Sequence, residues 1–130
     1  MVKILMIEDE LLLVSMYKAA LEAAGYEVIS ASGGEMGLEK IKELKPGLVL
    51  LDIMMPQMTG LDVLEAMKKD PQTSPIPVVM LTNLTRNPDP QIPISKGALD
   101  VWVKANNKPK DIVDKVNKLF ERLDGKNTNN

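Results

Sequence analysis

The sequence predicts an α/β fold built on a parallel sheet, and three observations carry that reading. Short aliphatic or β-branched runs alternate with longer segments of helical period. Five strand-then-helix units fit along the chain. Several of the short runs are apolar throughout, as strands are when helices cover both faces of their sheet. A chain of 130 residues fits one compact domain and leaves no room for a second of ordinary size.

The first strand is expected at residues 2–7, around the run Ile4 to Ile7. A helix over 10–24 places Leu13, Tyr17, Ala20, Leu21 and Ala24 on one face, and Gly25 terminates it. The second strand covers 27–30, and the helix over 34–44 repeats Leu38, Ile41 and Leu44 before Pro46 stops it. A third strand at 48–52 is apolar up to Asp52. The next helix, 61–69, shows Leu61, Leu64 and Met67, and a fourth strand follows at 77–82. Residues 84–96 are where a fourth helix belongs, yet they carry Pro88, Pro90 and Pro93. Proline inside a regular helix deletes a hydrogen bond and clashes one turn back, so a short, broken or loop-like element is expected.

The fifth strand, 101–104, leads to a helix over 109–123. Pro109 suits its first turn, and Ile112, Val116, Leu119, Phe120 and Leu123 line one face. Residues 124–130 are polar throughout and read as a solvated tail with no appended effector, leaving 1–123 as the domain.

Composition removes several kinds of chemistry. With 16 basic and 18 acidic residues the net charge is −2, so no basic field attracts nucleic acid or an anionic membrane. Neither direct nucleic-acid binding nor membrane insertion is expected. The chain has no Cys and no His, which excludes disulfides, thiol catalysis, the common zinc-ligand sets and any imidazole base. Reactions here must rest on carboxylates, Lys, hydroxyls and backbone groups. Glu8, Asp9 and Glu10 interrupt the N-terminal apolar run well short of a signal peptide or membrane span, so a cytoplasmic protein is expected.

In an open parallel sheet, ligands bind beyond the carboxyl ends of the strands. There the first strand gives Glu8 and Asp9, the third Asp52, the fourth Thr82 and the fifth Lys104. Taken singly each has a plainer explanation: an acidic pair before a helix often caps it, an Asp after a strand caps the next turn, and a lone Thr or Lys is ordinary strand-end or surface chemistry. Jointly they suit one task, binding a hard cation and a phosphoryl group.

Glu8-Asp9, the segment Leu51-Asp52-Ile53-Met54-Met55-Pro56-Gln57-Met58-Thr59-Gly60, Thr82, the pair Gly97-Ala98 and Lys104 together resemble the receiver domain of bacterial-type response regulators, from Val2 to about Leu123. The resemblance implies a flavodoxin-like (βα)5 three-layer sandwich with parallel sheet order 2-1-3-4-5. It further implies that Asp52 is a phosphoacceptor, taking a phosphoryl group from a His of a histidine kinase or His-containing phosphotransfer protein and switching the surface for a downstream protein.

On the same resemblance Mg²⁺, with Mn²⁺ as a substitute, is held by Asp9, Asp52 and the backbone carbonyl of Met54, with Glu8 acting through a water. Lys104 pairs with Asp52 before reaction and with a phosphoryl oxygen after it. Thr82 donates its hydroxyl to another phosphoryl oxygen and relays the change. Such a protein is a stand-alone acceptor and switch, monomeric or a weak phosphorylation-dependent dimer. It is not a turnover enzyme beyond self-phosphorylation from small donors and its own dephosphorylation.

The sequence departs from the family pattern in three places. Val101 stands where an aromatic residue is usual, and Trp102, one residue later, faces the other side of the strand and reads as packing. Ala105 replaces the usual Pro after the Lys, so a trans peptide is expected there. Asn83 replaces a small residue and should restrict access to the phosphoryl group. Readings from other classes are weaker. An Asp-nucleophile phosphatase needs a second Asp at position 54, where Met54 stands, and a flavodoxin-like cofactor binder needs a phosphate loop where Glu8 and Asp9 would repel phosphate. A constitutive scaffold, a pseudo-receiver that binds partners without switching, is kept in play by Val101 and the prolines.

Overall fold

Strands β1 (Lys3–Ile7), β2 (Glu27–Ala31), β3 (Leu48–Asp52), β4 (Val78–Thr82) and β5 (Asp100–Val103) pair in parallel in the order β2-β1-β3-β4-β5. The computed structural model describes residues 2–83 and 90–128, the last four by their backbone alone. Helices α1 (Leu11–Ala23), α2 (Gly34–Leu44), α3 (Gly60–Lys69), α4 (Gln91–Ser95) and α5 (Pro109–Thr128) connect and cover the strands, and a 3-10 turn, Lys104–Asn106, follows β5. This is the flavodoxin-like receiver arrangement the sequence predicts.

Strand side chains alternate between two cores, as the two-residue period of a strand requires. Leu5, Ile7, Val49, Leu51, Val78 and Met80 pack on one face with Ile41 of α2 and Val63, Leu64 and Met67 of α3. Ile4, Met6, Leu48, Leu50, Val79 and Leu81 pack on the other with Val14, Tyr17 and Leu21 of α1 and Ile112, Val116 and Leu119 of α5. Both faces of the three central strands are therefore dry, which is why their sequences read as unbroken apolar runs. Trp102 joins the second core while its neighbour Val101 packs against the first, so Trp102 is a packing residue.

The fourth helix is short, as expected, although Pro93 lies within it and not at a break. Pro93 is the third residue of α4, and the first four N–H groups of a helix have no intrahelical acceptor, so the ring costs no hydrogen bond there. The chain closes this turn with Ile94 N–H donating to Pro90 O at 3.2 Å and Ala98 N–H to Pro93 O at 3.0 Å. Pro88 and the rest of residues 84–89 lie outside the described residues.

Helix α5 continues through residues 124–128, past the boundary at Leu123 expected for it. Backbone hydrogen bonds of a helix do not depend on apolar side chains, so the end of the apolar stripe at Leu123 marks where packing stops and not where the helix stops. Strand β5 also runs one residue earlier than expected, ending at Val103, with Lys104 opening the 3-10 turn.

Candidate functional site at the carboxyl edge of the sheet

Glu8 leaves β1 with its N–H donating to Ala31 O of β2 at 3.0 Å, and its carboxylate is buried, 1% exposed. Asp9, next in the chain, is exposed. Neither is spent on capping: the N-cap of α1 is Glu10, and it makes no side-chain cap bond. Asp52 ends β3 at 3% exposure and accepts from the Met54 N–H at 3.2 Å through Oδ1. The turn-capping role open to a lone Asp is thus real, but it occupies one oxygen of a carboxylate that has other neighbours.

The loop after Asp52 folds back tightly. Gly60 N–H donates to Ile53 O at 3.0 Å, and Thr59 caps α3 with a reciprocal Thr59–Asp62 capping box. A Cβ on Gly60 would sit 2.2 Å from the Asp52 carbonyl oxygen, so only glycine permits this approach. Met54 has its side chain more than half exposed, while its N–H meets Asp52. Thr82 ends β4 fully buried, in register with Val103 of β5, and Asn83 beyond it is exposed. Among the described residues no peptide bond is cis, so the bond to Ala105 is trans as expected.

Lys104 draws these groups together. Its Nζ lies 2.7 Å from Glu8 Oε1 and 3.3 Å from Asp52 Oδ1, and both ion pairs are buried. The sequence pairs Lys104 with Asp52; the structure adds Glu8 as the nearer partner, which no spacing in the chain signals across 96 positions. Burial pulls the Lys104 ammonium down, but the hydrogen bond it donates to Glu8 and the charges of Asp52 and Glu8 more than offset it and hold it above its ordinary range. Burial and then the adjacent Asp52 push the Glu8 carboxyl up to about 8, against the pull of Lys104.

Glu8 Oε2 is buried with no hydrogen-bond partner. One oxygen from each of Glu8, Asp9 and Asp52 lies within 4.8 Å of the others. Three hard oxygen donors around a buried, unsatisfied carboxylate oxygen fit a small divalent cation.

A family model for the response regulator receiver domain matches residues 4–117. The chain is 36% identical over 128 residues to the probable transcriptional regulator ycf27 of Porphyridium aerugineum, covering 98% of this chain and 52% of that protein. It is 34% identical over 122 residues to the DNA-binding response regulator MtrA of Mycobacterium tuberculosis, covering 94% and 52%. The chain therefore spans about half the length of these relatives. Among solved structures it is similar to a CheY-like response regulator receiver domain protein from Methanospirillum hungatei, with a TM-score of 0.86 at 26% identity, covering 97% of this chain and 98% of that one.

Proposed function

Because this chain belongs to the response regulator receiver domain family, we propose that it accepts a phosphoryl group on Asp52 from a phosphohistidine of a histidine kinase or His-containing phosphotransfer protein and presents a changed surface to a downstream protein. The observation that carries the proposal is the convergence of Glu8, Asp9 and Asp52 within 4.8 Å, with Lys104 Nζ bridging two of them. An Asp52 carboxylate oxygen attacks phosphorus, the P–N bond to the donor imidazole breaks with its electron pair going to nitrogen, and an acyl phosphate remains.

Asp9, Asp52 and the Met54 carbonyl are the groups that would hold Mg²⁺, with Mn²⁺ as a substitute and Glu8 acting through a water. The bound cation would supply charge neutralisation for the crowded oxygens. Lys104 moves its ammonium from the carboxylates to a phosphoryl oxygen, a charge-assisted contact that favours product over substrate. Thr82 donates its hydroxyl to a second phosphoryl oxygen, and the end of β4 follows.

The relatives are named as transcriptional or DNA-binding regulators and are about twice the length matched here. The expectation of a stand-alone protein without nucleic-acid contact finds no support in them and is no part of this proposal. Among the described residues no helix is long and apolar enough to cross a membrane, and a cytoplasmic location is proposed from the phosphodonor partners. The test is intact mass after incubation with acetyl phosphate and Mg²⁺. The unmodified protein gains one acid-labile phosphoryl group and Asp52→Asn gains none. No gain in the unmodified protein would favour the constitutive scaffold instead.

A further inference from the structure

Lys104 is the first residue outside β5, whose last paired residue is Val103. The sheet ladder therefore does not fix its backbone, yet its Nζ must reach two buried carboxylates at 2.7 and 3.3 Å. The turn that carries it, Lys104–Asn106, contains no proline to restrict φ, and Ala105 and Asn106 are exposed. Position has to be imposed from outside the turn.

Two buried polar side chains do so. Asn107, 6% exposed, donates from Nδ2 back to Val103 O at 2.7 Å, while its own N–H reaches Lys104 O at 3.2 Å. These two bonds close the turn on itself, fastening its exit to the end of β5. Tyr17, 2% exposed in the core beneath α1, donates its hydroxyl to Asn107 O at 3.2 Å across 90 positions of chain. Tyr17 belongs to the same buried core as Val14, Leu21 and Val116, so its hydroxyl is a donor on a packed element.

We propose that Tyr17 and Asn107 form a clamp that positions Lys104 for the reaction at Asp52, making both of them positioning residues of this site. The proposal rests on the receiver chemistry above for its functional consequence, and on the hydrogen bonds alone for the clamp. A buried Tyr hydroxyl needs some partner wherever it sits, so the bond by itself also suits a purely structural tyrosine. What distinguishes the clamp is that its effect must pass through Lys104.

Two readouts separate the possibilities. The first is the Lys104 ammonium resonance in the metal-free protein, which is independent of any reaction. Tyr17→Phe and, separately, Asn107→Ala are expected to speed its hydrogen exchange several-fold. The second is the rate of phosphorylation by acetyl phosphate with Mg²⁺ in a double-mutant cycle. Tyr17→Phe is expected to slow the reaction several-fold when Lys104 is present and to change it no further in a Lys104→Ala background. An equal slowing in both backgrounds, with urea midpoints measured alongside, would make Tyr17 merely structural and overturn the proposal. An unchanged Lys104 resonance in both variants that fold overturns the clamp itself, whereas absence of phosphorylation in the unmodified protein overturns the receiver chemistry and leaves the resonance to decide the clamp.

Discussion

Lys104 Nζ donates to Glu8 Oε1 at 2.7 Å, a shorter contact than the 3.3 Å it makes with Oδ1 of Asp52. The lysine is therefore shared, with Glu8 holding it more closely than Asp52 does. One ammonium serves two buried carboxylates, and that imbalance sets what happens when either partner changes.

Lys104→Met removes the cation and keeps the volume of the stem. Removing one member of a buried pair costs roughly 3 to 5 kcal/mol because the remaining charge stays desolvated. The loss here should fall near about 3 kcal/mol, since Glu8, raised to about 8, already carries a proton near neutral pH and only Asp52 is left as an unpaired charge. Urea unfolding in EDTA measures it. Mg²⁺ affinity by calorimetry should rise in the same variant, because a positive charge beside the ligand oxygens has gone. Affinity equal to or below that of the unmodified protein would contradict this picture of the site.

Glu8 gives the metal-free protein a pH dependence of definite sign. Burial, and then Asp52, raise its carboxyl from 4.5 to about 8. Between those values the folded state binds more protons than the unfolded one, so this group's contribution to stability is full at the acid end and is lost as pH rises toward about 8. The difference in unfolding free energy between the unmodified protein and Glu8→Gln, followed in EDTA across that window, isolates the effect from other carboxylates. A difference that stays flat across that window would show that Glu8 is ionised throughout.

Gly60→Ala tests the tight loop. The added Cβ would meet the Asp52 carbonyl oxygen at 2.2 Å and the Ile53 Cα at 2.9 Å, both backbone atoms that cannot step aside. Overpacking of this kind costs about 1 to 3 kcal/mol, and the upper end is expected because the clash is with main chain. Any accommodation has to move Asp52, so phosphorylation by acetyl phosphate should fall together with the thermal midpoint. A variant with an unchanged midpoint would mean that the loop can shift without cost.

Much of this was legible in the chain because the sheet is central and covered. Apolar runs such as Leu48 to Leu51 and Val78 to Leu81 can only be strands buried on both faces, and their polar ends then line one edge of the sheet. Asp9, Asp52 and Lys104 were singled out by that geometry and by the resemblance. The pairing of Lys104 with Glu8 was not, because it depends on side-chain reach across elements far apart in sequence. Asn107 was equally silent: one Asn after a strand carries no pattern, and its role arises from a backbone carbonyl returned by its own turn. The continuation of α5 escaped because polar residues at a helix end and polar residues in a tail have the same composition.

The switching element can be located by hydrogen exchange. Val101 packs against one core and Trp102 lies in the other, and the Trp102 indole N–H donates to Asp100 Oδ2 at 3.0 Å with Lys115 Nζ 5.6 Å from its ring centroid. Rotating either side chain would open a void in a packed core, at a cost of a few kcal/mol. By contrast α4 has five residues, and its closing bonds include Lys96 N–H to Ile92 O at 3.3 Å and Gly97 N–H to Ile94 O at 3.0 Å. A single short turn opens at less free energy than a paired strand, and a switch needs two arrangements separated by only a few kcal/mol. The beryllofluoride phosphoryl mimic is therefore expected to change protection of amides 94–98, with the amides of β5 and of α1 little altered. Residues 84–89 lie outside the described residues, so the decisive amides are those of Ile94, Lys96, Gly97 and Ala98. Equal protection of these four with and without the mimic, together with a change confined to residues 101–104, would place the switch in β5 despite its packing.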